Sequence, residues 1–449
     1  MAETDAETWR AAHPGIDSVL TAVCDLNGTL RGKRVPADQV AKALDGGLRL
    51  PLSAVGVDIW GEDIENSALV FASGDADGIC QPTGRGILPN DWTSRPTALV
   101  PLWLFTEEGA PFAGDPRQAL ARVVEGFAAR GLTPVVATEL EFYLFDPEGD
   151  APQAPRSPVT GKRLDSDGVL SLDELQHFDA VLNDIYDSCR AQGIPVDVAI
   201  SENGAGQFEI NMRHLADPLR AADDAILFKR TVRGIARAHG LAATFMAKPY
   251  GTRSGNGFHV HVSLIDGDGR NVFDDGTEAG SDLMRHAVAG MIRTMAETAL
   301  TYAPHENSFR RLAPRAHAPS AIGWGYENRT LAIRIPGGSA AARRIEHRVA
   351  GADANPYLVL ASVLGGALLG LREGWEPPAP VTGNAYAQDL PHLPPDWASA
   401  IEAFETGTHI RQIYDPLLVS MFTDCKRQEL GVFTRRVTDF EYHTYLETV

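Results

Sequence analysis

Cysteine is scarce in this chain: four among 449 residues, Cys24, Cys80, Cys189 and Cys425, with no CxxC spacing. That argues against a disulfide framework and fits reduced thiols in a cytoplasm. An apolar run of membrane-spanning length is also missing. The most apolar stretch, Tyr357 to Leu371 (YLVLASVLGGALLGL), is too short to cross a bilayer, contains Gly365, Gly366 and Gly370, and reads as a buried helix. The opening MAETDAETWRAAHPG is acidic and has no apolar core, so no signal peptide is read there. Positive charge is outweighed: 40 Lys and Arg against 59 Asp and Glu leave a formal net charge of -19. Such a chain is a poor partner for a nucleic-acid backbone or an anionic membrane, and favours approach of a cationic small molecule. No GxxxxGK[ST] loop occurs, so any phosphate cradle is of another kind.

What is present is the composition of a soluble globular protein, 44% hydrophobic and 22% charged, over a length that predicts two domains. Residues 16 to 107 read as short β segments. Ser18 to Pro36 (SVLTAVCDLNGTLRGKRVP) holds an apolar run, an Asn27-Gly28 turn and a basic second strand, which is a hairpin signature. Pro96 to Phe105 is a further strand. From Asp115 the pattern changes. DPRQALARVVEGFAARG spaces apolar residues helically between Pro116 and Gly131, and TPVVATELEFYLFD follows as a strand. Ser171 to Gly193 predicts one helix opened by a capping box of Ser171 and Glu174. Strands and helices are expected to alternate from there to the C-terminus, with surface loops at Pro147 to Asp167 and Glu376 to Pro395.

Polar pairs two residues apart recur inside apolar strands, and such pairs share one face of a sheet. They are Glu139 and Glu141 in ATELEFYLF, His259 and His261 in GFHVHVSL, and Glu346 and Arg348 in RRIEHRVAG. A fourth segment, SENGAGQFEINM, sets Glu202 and Glu209 on either side of a glycine-containing turn. One such pair is an ordinary solvated strand face; four are harder to explain that way. If the faces converge, five carboxylates and two imidazoles line one cavity, and mutual repulsion leaves some acids protonated unless a cation enters. An oxygen-rich set with imidazole and no thiolate favours Mg²⁺ or Mn²⁺ over zinc. Arginines supply the complement: Arg310 and Arg311 in ENSFRRLAP, and Arg329 and Arg334 in YENRTLAIRIP. Carboxylates that hold metal, facing arginines, describe a phosphoryl-transfer site.

The ordered motifs ELEF, ENGAGQFEI, FMAKP with GNGFHVHVS, NSFRRLAP, NRTLAIRIP, RIEHR and ANPYL resemble those of the glutamine synthetase superfamily, from about residue 16 to the end. RGKRVP, GQFEIN, FMAKPY and RVAGADANPYLVLA are similar to its γ-glutamylpolyamine (γ-glutamylputrescine) synthetase branch. The resemblance implies an α+β fold: a β-grasp domain over 16–110, then a glutamine-synthetase/guanido-kinase-like catalytic domain over 111–449 with an antiparallel sheet and helices. It implies a cytoplasmic homo-oligomer, a dodecamer of two hexameric rings with active sites between adjacent subunits. It implies phosphorylation of glutamate by ATP and displacement of phosphate by an amine, with two or more Mg²⁺ or Mn²⁺ per subunit. Position by position, Glu141, Glu202 and Glu209 would hold one metal, and Glu139, His259 and Glu346 the second. His261 and Ser263 would contact ATP, Arg329 and Arg334 the transferring phosphoryl group, and Gly255, Arg311 and Arg348 the glutamate.

Departures from the family pattern bear on the acceptor. Ammonia-using members carry a glutamate in RLxPGxEAP, where this chain reads RLAPRAHAP and has His317. Asp58 in GVDIWG matches the ammonium-side aspartate without the surrounding DGSS, and Ser254 replaces an asparagine before Gly255. Tyr386 lies near a tyrosine that some members modify and reads as an ordinary loop residue. The expected reaction is therefore coupling of glutamate to an organic amine, such as putrescine, a polyamine or another primary amine. The alternatives are an ammonia-using glutamine synthetase and, remotely, an inactive family member or a zinc amidohydrolase, whose strands also carry His-x-His.

Overall fold

The computed structural model describes residues 6–65, 67–72, 74–149, 151–313 and 318–449. His317 lies outside the described residues.

A small sheet comes first. β1 (Ser18–Cys24) and β2 (Leu30–Pro36) pair as an antiparallel hairpin, and Gly28 in the turn takes a positive φ of 74°. β3 (Leu48–Pro51), β4 (Asp77–Pro82), β5 (Leu88–Asn90) and β6 (Thr97–Phe105) complete six strands in the order β2-β1-β6-β4-β3, with β5 on β6. β1 and β6 run parallel at the centre, as in a β-grasp. Val19, Val23, Val100 and Leu104 face a core of their own with Val40 and Ala43.

The larger sheet has eight strands: β7 (Thr133–Phe145), β8 (Val196–Ser201), β9 (Gln207–Met212), β10 (Ala242–Thr244), β11 (Phe258–Ile265), β12 (Trp324–Tyr326), β13 (Ile333–Ile335) and β14 (Ile345–His347). Their order is β12-β13-β14-β11-β7-β9-β8, and β10 also pairs with β7. Alternation decides the two faces. Leu140, Phe142, Phe208, Ile210, Val260, Val262, Ile333 and Ile345 point into the main core with the helices. Their odd- or even-numbered neighbours point the other way, and those are the polar pairs.

Four long helices, Pro116–Ala128, Pro218–Ala238, Pro356–Glu373 and Pro416–Arg435, open alike. Asp115, Asp217, Asn355 and Asp415 each accept a first-turn backbone N–H, and proline follows where no N–H is needed. The apolar stretch expected to be too short extends into an 18-residue helix, Pro356–Glu373, which by length and composition alone could cross a membrane, yet 83% of it is buried inside the chain. It is a core helix. Gly366 and Gly370 let it touch the backbone of helix Asp282–Thr294 at Gly290, where an added Cβ would collide with the Gly366 carbonyl.

Two expectations need correction. Ser171–Gly193 is two helices, Leu172–His177 and Asp179–Ala191, broken at Phe178, whose buried ring packs on Phe208 at 5.5 Å. Only half of the capping box forms: Ser171 accepts from the Glu174 N–H, but the Glu174 carboxylate accepts instead from the Gly206 N–H at 2.6 Å and from the Ser201 hydroxyl at 3.1 Å. A tertiary partner outcompetes the local one. Nor do strands continue to the C-terminus: among the described residues none follows β14.

Candidate active site

Antiparallel register gathers the polar pairs. His259 on β11 stands opposite Glu139 on β7, Glu141 on β7 opposite Glu209 on β9, and His261 on β11 opposite Glu346 on β14. Arg334 on β13 stands opposite Glu346 in turn. Directly opposed residues share a face, so all of these side chains project from one side of the sheet. Glu202 joins them from the turn after β8, where its N–H donates to the Gln207 carbonyl at 2.8 Å.

Three groups have ligand atoms within 4.8 Å of one another: Glu141, Glu202 and Glu209; Glu139, Glu209 and His259; and Glu139, His261 and Glu346. The first is the trio read from the sequence. The second differs: Glu139 bridges both imidazoles, and His261, expected on the nucleotide side, stands with Glu346. His261 Nε2 lies 2.8 Å and His259 Nδ1 3.2 Å from the Glu139 carboxylate. The Arg344 Nε–H donates to His261 Nδ1 at 3.2 Å, so the His261 proton sits on Nε2, facing Glu139.

The electrostatics invite a cation. Burial and the charges of Glu139, Glu141 and Glu202 push Glu209 up to about 9. Burial and Glu141 push Glu202 up to about 7. Glu139 goes the other way: burial would raise it, but the hydrogen bonds to His259 and His261 hold it well below the usual carboxylate range. Five carboxylates and two imidazoles without a thiolate match a hard divalent ion, which relieves the repulsion that keeps Glu209 protonated.

Beyond the carboxylates a cavity of about 270 Å³ opens, lined among others by Glu141, Glu202, Gly255, His259, Arg311 and Arg348. Arg311 is buried and donates to the Val349 carbonyl at 2.7 Å, whereas Arg310 is exposed beside Glu306. Arg348 pairs with Glu346, which also accepts from Arg334 at 2.8 Å. Gly255 closes the wall, since a Cβ there would strike the Ala247 carbonyl.

Other predicted residues are less simply placed. Arg329 sits on an exposed turn before β13, from which its charge lowers the Glu202 pKa. Ser263 is half-buried on the His261 face. Asp58 is not among the residues lining the cavity. It is 2% exposed, accepts from the Trp60 and Glu62 N–H groups at 3.0 and 2.9 Å, and accepts from Gln428 at 2.8 Å. Its carboxylate thus shapes the exposed Trp60–Asp63 loop. Sequence reasoning passed over Gln207 and Asn211. Gln207 Nε2 donates to the Gly255 carbonyl at 3.0 Å and to Glu141 at 3.3 Å, and Asn211 donates to Glu209 at 3.2 Å. Both lie two residues from Glu209 on β9, so the same period-two count would have found them. Tyr386 is also closer to the site than an ordinary loop residue, near enough for Arg311 and Arg348 to act on its hydroxyl.

The model of the glutamine synthetase catalytic domain matches residues 113–445. The chain is 39% identical to γ-glutamylputrescine synthetase PuuA of Escherichia coli (strain K12) over 99% of this chain and 94% of the other. It is 35% identical to γ-glutamylethanolamide synthetase GlnA4 of Streptomyces coelicolor over 96% and 93%. A solved structure described as apo GmaS without ligand superposes with a TM-score of 0.85 at 28% identity, covering 99% of this chain and 100% of that one. The His-x-His strand pairs antiparallel on both sides, unlike a strand of a parallel hydrolase barrel. The chain belongs to the glutamine synthetase family.

Proposed function

We propose that this protein is an ATP-dependent ligase that joins the γ-carboxylate of glutamate to an organic primary amine, giving a γ-glutamylamide, ADP and phosphate. The observation that carries the reading is the single sheet face on which carboxylates and imidazoles from neighbouring strands stand beside Arg311 and Arg348. Relatives named for putrescine and for ethanolamide support a primary amine as acceptor.

We assign Glu141, Glu202 and Glu209, which stand together, to one Mg²⁺ or Mn²⁺. For a second we keep Glu139, His259 and Glu346 on the family resemblance, with His259 standing nearer Glu139 and Glu209, and Glu346 nearer Glu139 and His261. Bound there, the cations would neutralise the ATP phosphates and the carboxylate cluster together. Arg311, Arg348 and the Gly255 backbone hold glutamate, with Gln207 fixing the Gly255 carbonyl. A γ-carboxylate oxygen of glutamate attacks the γ-phosphorus of ATP, the bond to the bridging oxygen breaks, and ADP leaves. Arg329 and Arg334 offset the charge on the moving phosphoryl group, and His261 and Ser263 line the nucleotide side. The amine nitrogen then attacks the acyl carbon, phosphate leaves, and the nitrogen gives up a proton. We place the amine side at the Asp58 loop of an adjacent subunit, within an assembly of two stacked hexameric rings.

In the sequence His317 takes the position at which ammonia-using members carry glutamate, and we read this as loss of the carboxylate that would bind ammonium. The test is ADP formation with glutamate, ATP, and either ammonia or a panel of amines. At least one primary amine is expected to exceed ammonia in kcat/KM, and His317→Glu to move the ratio toward ammonia. Ammonia as the best acceptor across the panel would make this an ordinary glutamine synthetase.

A further inference from the structure

On the far side of the catalytic domain, helix Pro218–Ala238 carries Lys229, Arg230, Arg233 and Arg237 into a second cavity of about 270 Å³. This cavity shares no residue with the first. Its opposite wall is the β1–β2 turn, Gly28 to Leu30, with Trp92 at the side. The cations follow a helical stripe, i, i+1, i+4 and i+8, so Lys229, Arg233 and Arg237 are stacked like charges, an arrangement that weakens a helix unless something offsets it.

Among the described residues the one carboxylate that acts on the stripe is Asp353, on Lys229 and from beyond ion-pair distance. Among the described residues no carboxylate lies within ion-pair distance of any of the four, in a protein with a net charge of -19. Lys229 donates to the Ala354 carbonyl at 3.0 Å, and Arg230 to the Asn90 side chain. These acceptors are neutral. Aromatic rings hold the cations in place: Arg230 lies 5.1 Å over Trp92, and Arg233 lies 5.2 Å over Phe245. Gly234 makes room for the Trp92 ring, since a Cβ there would run into the indole. Burial, with repulsion from Arg237, lowers the pKa of both Arg230 and Arg233. Burial also lowers Lys229 to about 7, so the lasting charge is that of the three arginines. A cavity that gathers three guanidinium groups, sets two of them over aromatic rings and gives none a carboxylate partner among the described residues is built for an anion.

We propose that this cavity is a second anion site, separate from the ligase centre, for a small multivalent oxyanion bearing phosphate or carboxylate groups. The size of the cavity suits a compact anion, and the guanidinium groups accept either chemistry.

The test uses the full-length enzyme in EDTA, titrated with pyrophosphate, inorganic phosphate and citrate, and followed by calorimetry and tryptophan fluorescence. Saturable binding is expected for at least one probe, and the stronger of the phosphate and citrate arms identifies the class. Arg233→Gln and Arg237→Gln should each weaken binding at least tenfold with basal ligase turnover retained, and Trp92→Phe should remove the fluorescence response. Arg237 is exposed, so its variant keeps the test available if Arg233→Gln does not fold. Absence of binding, as when carboxylates of a neighbouring subunit fill the cavity, overturns the inference. So does binding that is equally tight in both arginine variants.

Discussion

At Glu209 burial and three neighbouring carboxylates act in the same direction, so the metal-free site holds more negative charge than it can keep ionised. Glu209→Gln removes one of those charges with little change in shape. In EDTA the variant should melt at or above the wild-type temperature. With Mn²⁺ the wild type should gain stability in proportion to its affinity, and the variant should gain less. Turnover should fall by about 3 kcal/mol of transition-state stabilisation, roughly a hundredfold. A variant that takes up Mn²⁺ and turns over like the wild type would remove Glu209 from the cation site. The motif around this residue was legible because period-two spacing fixes which side chains share a face. That Glu139 would serve both histidines was not, because spacing along one strand says nothing of the partner strand's register.

Among the elements, helix Pro416–Arg435 ties the two sheets together through charge. Glu429 and Lys426 are paired at 2.8 Å with both side chains fully buried. Glu429 also accepts from Asn27 in the β1–β2 turn at 3.0 Å and from the Ile59 N–H at 2.8 Å. Burial alone would raise the Glu429 pKa, but Lys426 and His305 pull it down to about 2 from an ordinary 4.5. A depressed carboxylate contributes stability that is complete above its unfolded pKa and is lost as pH falls through its folded one. The urea midpoint should therefore fall between about pH 4.5 and 2, a window worth on the order of 3 kcal/mol. Asp25 slopes the opposite way: burial raises it to about 6, so its contribution is lost as pH rises through that value. The quantity to read is the difference between wild type and Glu429→Gln. The variant should be less stable near neutrality, by roughly 3–5 kcal/mol, and should lack the acid-side slope. Equal slopes in the two proteins would mean that the buried pair does not form. The Asp/Asn-Pro openings of the long helices are visible in the sequence, whereas the break at Phe178 is not, since it follows from packing on Phe208.

For the whole molecule, the arrangement of Asp58 is decisive. Its carboxylate is turned inward onto its own loop, and the Trp60–Asp63 segment that it shapes is largely exposed and lies outside the cavity of the same chain. If that loop completes a neighbour's site, subunits with Asp58→Ala and subunits with Glu141→Gln carry defects in different halves of a shared centre. Mixed oligomers should then recover part of the activity that neither variant has alone, because some interfaces join two intact halves. Verified mixed oligomers that stay inactive would count against a site shared between subunits.

The sequence by itself determined the family, the strand spacing that sets Glu139 and Glu141, and His259 and His261, on one sheet face, the hairpin and the helices whose caps and prolines sit in the first turn. These are local properties: side-chain alternation, turn chemistry and capping depend on neighbours in the chain. Only the tertiary structure decided that Glu174 leaves its capping box for Gly206, that Glu346 is held between Arg334 and Arg348, and that four cations of one helix face a turn some 200 residues earlier. Those outcomes depend on which distant groups compete for the same atom once the sheets and helices have packed, and on burial that makes an unmet charge costly.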